Sequence, residues 1–255
     1  MRVRQRAVTW SLGLTTVLAV AGTLSAGIGP VSIPPATVVK ILLNAVSLPA
    51  GIEVAPLSVA GTLQVPVPTL QWQSAVAYPV DSTAETIIMR VRLPRIVLAA
   101  TVGFALAAAG TVMQGFFRNP MADPSIIGVS SGAAVGAVAA IVAPAAIPFG
   151  LGLRGAAFLG AVITAFVVYL IATDGGRTPV ATLLLAGVAI QAFLGAVIAA
   201  LQLYSGEGLR AVVHWLMGHL GNAGWDDVTI TLLIVPVLFG MLLAYARDLN
   251  VLLLG

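Results

Sequence analysis

An all-α, polytopic transmembrane helical bundle is the fold class this sequence predicts, on three observations. Hydrophobic residues make up 59% of the chain and charged residues 8%, whereas a soluble domain carries roughly 25% charged residues to keep its surface hydrated. Uncharged runs recur at membrane-crossing length: at 1.5 Å per residue, about 20 helical residues cover the ~30 Å hydrocarbon core. Short polar turns and prolines separate these runs. Together they predict about six spans, with lipid as the solvent for most of the surface.

The first run, Ala7 to Ile28, follows Arg2, Arg4 and Arg6. It exceeds the ~7–15 residues of a signal-peptide core, although Ser25–Gly27 would serve as a cleavage site. The arginines favour a cytoplasmic amino terminus by the positive-inside rule. Pro30, Pro34 and Pro35 end the helix, because proline lacks a donor and clashes with the preceding turn. Pro35 suits the first position of a short interfacial helix, ATVVKILLNAV. From Ser47 to Asp81 the chain has no helical period and reads as an outward loop, with short strands expected around Thr62–Val67. Residues 30–88 thus form an extracytoplasmic loop with a short interfacial helix.

Ile96 to Phe117 is the next uncharged run, and the polar turn RNPMADPS follows it. Asn119–Pro120 and Asp123–Pro124 hold the residues before proline out of the helical region, so the chain reverses there. Asp123 or Ser125 can cap the helix that follows, with Pro124 in its first turn. Further spans are expected at Ile126 to about Ala146 (ended by Pro144 and Pro148), Gly155–Ala172, Val180–Leu203 and Val228–Ala246. Pro236 is expected to kink the last. An even count puts both ends on one side. Six basic residues then fall inside and six outside, so the cluster Arg90, Arg92 and Arg95 stands on the side the rule disfavours. It either anchors at the interface or docks an acidic partner, where rim charges speed association and fix register.

Net charge is +3 with the 12 basic residues scattered, so nucleic acid is not implied. With no cysteine, disulfides and thiolate metal sites are excluded. Gly128, Gly132 and Gly136 make a GxxxGxxxG stripe, the device by which membrane helices bring backbones together; Gly103, Gly110, Gly187 and Gly195 extend the theme. No acid, base or histidine lies mid-span, which argues against coupling to an ion gradient. Gln114, Gln191 and Gln202 are the main polar side chains at or within helices. No nucleophile–base pair, HExxH or nucleotide-binding motif is present. His214 and His219 are five apart, which puts them on different faces of a helix, so an interfacial re-entrant helix with Trp215 and Trp225 is read there in place of a metal or haem site.

The segments RLPR, VGFALAAAGTVMQGFFRNPMADPSIIGVSSGA, LLLAGVAI, VVHWLMGHLGNAGWDDV and RDLNVLLLG together resemble the permeases of ATP-binding-cassette importers for iron-siderophores, haem and cobalamin. The resemblance runs from about Arg90 to Gly255 and more weakly over the first helix. It implies one permease domain over residues 1–255, incomplete at its carboxyl end, in a plasma-membrane protein of about ten spans. It also implies a homodimer, a cytoplasmic ATPase that binds the ATP, and an extracytoplasmic binding protein that docks on Arg92 and Arg95. The chain itself would perform no bond chemistry and hold no cofactor. The helix from Leu183 is similar to the family's pathway helix, which makes Gln191 and, less directly, Gln114 candidates for the translocation path. Leu209–Leu220 resembles a short outer helix at the substrate entrance. Two departures remain: the loop Asn44–Glu85 is longer than the family's, and the coupling segment expected after Gly255 is not in this sequence. A secondary transporter or channel working without ATP, or a truncated membrane scaffold, are the alternatives. The carried chelate is not readable from these motifs, with iron chelates the broader class.

Overall fold

A computed structural model describes residues 2–59, 63–147 and 151–254; the expectations resting on Thr62, Pro148 and Gly255 lie outside them. The chain divides into two compact units, Met1–Ala99 with Ala223–Ile230, and Ala100–Asn222 with Thr231–Gly255.

In the first unit, helix α1 (Arg2–Gly27) leads through the prolines into α2 (Pro35–Asn44), with Pro35 in its first turn as expected. These two helices share a small core: Ala26, Ile33, Val38 and Ile41 are buried together with Ile88. The expected outward stretch carries strand where short strands were expected, at residues 63–67, but as part of a much longer antiparallel hairpin, β1 (Ser47–Val59) with β2 (Leu63–Ser74). Four prolines, Pro49, Pro56, Pro66 and Pro68, obscured it, since proline argues against a central strand. A two-stranded ribbon has only edge strands, so every second residue turns its N–H away from the ladder and proline there removes no bond. The hairpin's base is clamped by one side chain. Asn44 donates Nδ2–H to the Tyr78 carbonyl at 2.9 Å and accepts the Tyr78 N–H on Oδ1 at 2.8 Å.

A continuous helix then starts earlier than the uncharged run suggested. It comprises α3 (Ser82–Thr86), a widened π-turn (Ile87–Arg92) and α4 (Leu93–Phe117), 36 residues in all. Asp81 caps its start by accepting the Ala84 N–H at 3.0 Å. Its length is about 54 Å, far beyond the ~30 Å a single crossing of the bilayer core needs. Pro94 accounts for the π-turn, because its ring cannot tolerate the regular ladder below it.

The second unit takes up the chain at Ala100. Helices α5 (Val129–Val142), α6 (Gly152–Ala172) and α7 (Val180–Leu203) pack on one another, followed by α8 (Leu209–Leu216), α9 (Trp225–Ala244) and α10 (Ala246–Leu254). Phe104 of α4 meets Phe239 of α9 edge to face, with ring centroids 4.8 Å apart. Among the described helices, five are long and apolar enough to cross a membrane: α1, α3–α4, α6, α7 and α9. The sixth expected span is shorter than predicted. Its α-helical part, α5, has 14 residues, about 21 Å, because the 3₁₀ turn Pro124–Ile127 and a left-handed Gly128 come first. Helix α9 runs through Pro236.

Candidate functional site

The arginine cluster sits where α1 ends. A helix leaves its last carbonyls without intrahelical donors; here backbone N–H groups of Ile28 and Ile33 serve Leu24 and Gly27, and Arg92 serves Ala26. Its Nη1 donates to the Ala26 carbonyl at 2.6 Å and its Nη2 to the Val31 carbonyl. A cation at a helix carboxyl end is also favoured by the macrodipole. Gly29 lies against this guanidinium so closely that a Cβ would overlap it. The structure thus uses Arg92 as a staple between the α1 terminus and the π-turn. Arg95 is half-buried and lines, with Arg92, a cavity of about 530 Å³ bordered by Ser25, Gly29, Pro30 and Val31. Arg90, five residues before Arg95, is exposed.

A second contact locks the same turn. The Leu93 N–H reaches the Ile88 carbonyl, so Met89 loses its usual donor, and the next residue, Pro94, has none to give. Trp225 fills the gap, donating Nε1–H to the Met89 carbonyl at 2.8 Å. Its indole therefore completes a defective helix turn.

The polar turn after α4 is built from local hydrogen bonds. Helix α4 ends with Arg118 left-handed at φ 48° and the Asn119 N–H on the Gln114 carbonyl at 3.1 Å, a closure that glycine usually makes. Asn119 Oδ1 accepts the Met121 N–H at 2.9 Å, with Pro120 between them. Asp123 Oδ1 accepts the Ser125 N–H at 2.8 Å. That settles the capping choice for Asp123, which caps the 3₁₀ turn with Pro124 at its first position. The hydrogen bonds from Ser125 hold the Asp123 carboxyl below the usual carboxylate range. Gln114 itself is exposed.

This turn is seated on α7. Gln191 Nε2 donates to the carbonyls of Ser125 (3.1 Å) and Ile126 (2.7 Å). One helical turn earlier Gly187 lets the Ile126 carbonyl approach where a Cβ would collide. Gln191 is thus held against the 3₁₀ turn. Gly128 is the left-handed residue (φ 80°) between that turn and α5, so it lies ahead of the helical stripe expected of it, though it still faces Thr164 and Gln191. Gly132 and Gly136 do pack as predicted. A Cβ on Gly132 would overlap Thr164 Oγ1 and the Gly160 carbonyl, one on Gly160 the Gly132 carbonyl, and one on Gly136 the Ala156 carbonyl. By contrast Gly103, Gly110 and Gly195 face open space.

One sequence expectation is overturned outright. His214 and His219 do not stand on different, separated faces: their ring centroids are 3.8 Å apart. The five-residue spacing argument assumed a continuous helix, but α8 ends at Leu216 and Gly218, at φ 71°, turns the chain back. No cluster of three or more His, Asp or Glu suited to a metal occurs among the described residues.

Compared with known proteins, residues 17–255 match the FecCD transport family. The chain belongs to the FecCD transport family. Among its FecCD relatives is the cobalamin import system permease protein BtuC of Halobacterium salinarum, 50% identical over 255 residues, covering 98% of this chain and 69% of that one. The hemin transport system permease protein HmuU of Yersinia pestis is 41% identical over 173 residues, 66% of this chain and 51% of that protein. A solved structure described as an inward-facing conformation of a metal-chelate type ABC transporter matches with a TM-score of 0.68 and 28% identity, covering 94% of this chain and 63% of that one. The chain thus spans between half and about two thirds of the length of these proteins.

Proposed function

We propose that this chain is the membrane-spanning permease part of an ATP-driven importer of metal chelates or corrinoids. The family match over residues 17–255 carries the reading. Two physical features support it. Ile96–Phe117, Val180–Leu203 and Val228–Ala244 hold no ionisable side chain, so these three spans offer no group of the kind that couples to a proton or cation gradient, which fits energy supplied by a separate ATPase. In the second unit, the end of α4, the start of α7 and the end of α9 surround one cavity of about 610 Å³ bordered by Phe117, Arg118, Thr178 and Leu242. That arrangement fits spans that alternate in direction. With the amino terminus in the cytoplasm, Arg118, Arg177 and Arg247 fall on the cytoplasmic side.

Cobalamin is the first substrate to test, since the relative named for it is 50% identical over nearly the whole chain; haem and iron chelates follow. The extracytoplasmic binding protein docks on the exposed Arg90 and on Arg95, while Arg92 holds the shape of the surface they stand on. The path runs beside α7, with Gln191 positioning the polar turn against it and Gln114 exposed farther along α4. A second permease copy completes the path across a twofold axis. The test is ATP-dependent uptake into vesicles containing the full permease with its ATPase and binding protein. Labelled cobalamin is expected to accumulate and to be competed poorly by ferric chelates. Uptake that persists on a membrane potential without ATP would overturn the importer reading; uptake of ferric chelate alone would move the substrate.

A further inference from the structure

We propose that His214 and His219 form a two-imidazole ligand site for a transition-metal centre, presented by the end of α8. The site is preformed by the backbone. Met217 N–H reaches the Val213 carbonyl at 3.0 Å, Gly218 N–H the Trp215 carbonyl at 3.0 Å, and the left-handed Gly218 brings His219 back over His214. The element carrying the first ring is anchored, since Val212 is fully buried and Gly208 rests against Ile141. Both imidazoles are exposed, so their nitrogens can be reached from solution. Metal–imidazole bonds are about 2.0–2.1 Å, so two imidazoles side by side on one ion have centroids ~4.5–5 Å apart; the two rings, with centroids 3.8 Å apart, take one ion between them by opening through side-chain rotation.

The donor chemistry narrows the ligand. Imidazole suits zinc, copper, nickel and iron, and the thioether of Met217, 79% exposed between the two histidines in sequence, favours the softer of these. Two protein donors leave coordination positions open. The centre is therefore either a free divalent ion or one that arrives in a chelate with exchangeable axial positions. The assignment needs only the geometry of the pair and stands whatever the transporter carries.

The chain has two histidines in all, so their signature is specific. Full chain in lipid nanodiscs, carried without a polyhistidine tag, is titrated with copper(II) chloride and followed by electron paramagnetic resonance. One equivalent of copper with coupling to two imidazole nitrogens is expected. His214→Gln and His219→Gln should each leave one coupled nitrogen and weaken binding about tenfold or more, ~1.4 kcal/mol. Aquocobalamin, whose axial water imidazole displaces, is the second probe: a visible-band shift in wild type that vanishes in both variants identifies a chelate as the source, and copper binding alone identifies the free ion. Failure of both probes to bind below about 1 mM, or binding unchanged in the double variant, overturns the site. The wild-type spectrum decides by itself if a variant fails to assemble.

Discussion

Two sets of glycines in this protein look alike in sequence and behave oppositely in space. Gly132, Gly136, Gly160 and Gly187 lie in a seam where helix backbones touch, and a single methyl at any of them would strike a carbonyl oxygen. Gly103, Gly110, Gly195 and Gly240 also sit in apolar helices, yet nothing within 4 Å would meet a Cβ there. Lipid tails are as apolar as leucine, so helices associate through close contact rather than through hydrophobic exclusion. A small residue therefore matters only when a second small surface faces it. The seam has that reciprocity, Gly132 against Gly160, and the open faces do not.

The comparison can be broken most sharply at Gly132. Gly132→Leu should separate α5 from α6 and cost about 3 kcal/mol or more, the upper range for overpacking, read as a large fall in the thermal midpoint of the detergent-solubilised chain. An unchanged midpoint would show that the seam is not load-carrying for stability. Next in size is Arg92→Met, which strands the carbonyls of Ala26 and Val31. Loss of charged hydrogen bonds implies about 1.5–3 kcal/mol, whereas Arg90→Glu should leave the midpoint alone and weaken binding-protein association, most visibly at low salt. Equal effects of the two on stability would remove the distinction between staple and rim.

Gln191→Leu should cost about 1–2 kcal/mol, since two carbonyls of the 3₁₀ turn lose their side-chain donor; faster amide exchange at Ile126–Gly128 checks it. On the open faces, Gly103→Ala and Gly195→Ala should be neutral or stabilise by about 0.5–1 kcal/mol, through helix propensity alone. If Gly195→Ala keeps the midpoint but abolishes subunit assembly, that face meets another copy and the contrast moves from within the chain to between chains. The smallest effect concerns pH. Because Asp123 titrates below its ordinary value in the fold, its contribution is complete above the usual carboxylate pKa of about 3.9 and fades as pH falls through the depressed value. Asp123→Asn, which keeps an accepting oxygen, should flatten that acid-side loss of protection at Ser125.

Much of the architecture was legible one residue at a time. Helices α6, α7 and α9 begin and end within three residues of their apolar runs, and α2 begins on the proline that was read as its first residue, because lipid solvation and proline stereochemistry act locally. The polar turn was legible for the same reason: Asn–Pro and Asp–Pro carry their own geometry. Of the hairpin only the short strand around residues 63–67 was legible, since proline counts against strands unless the strand is known to be an edge.

By itself, the sequence determined that the chain is a membrane protein, where its helices lie, where it reverses, and which family it resembles. These follow from composition, from the length of apolar runs and from backbone restrictions within a few residues. The tertiary structure alone decided which arginine is a staple, which glycines are a seam, that Gln191 clamps a turn, and that two histidines five apart meet ring against ring. Each of those depends on a partner group far along the chain, or on a left-handed glycine whose conformation the neighbouring letters do not spell out.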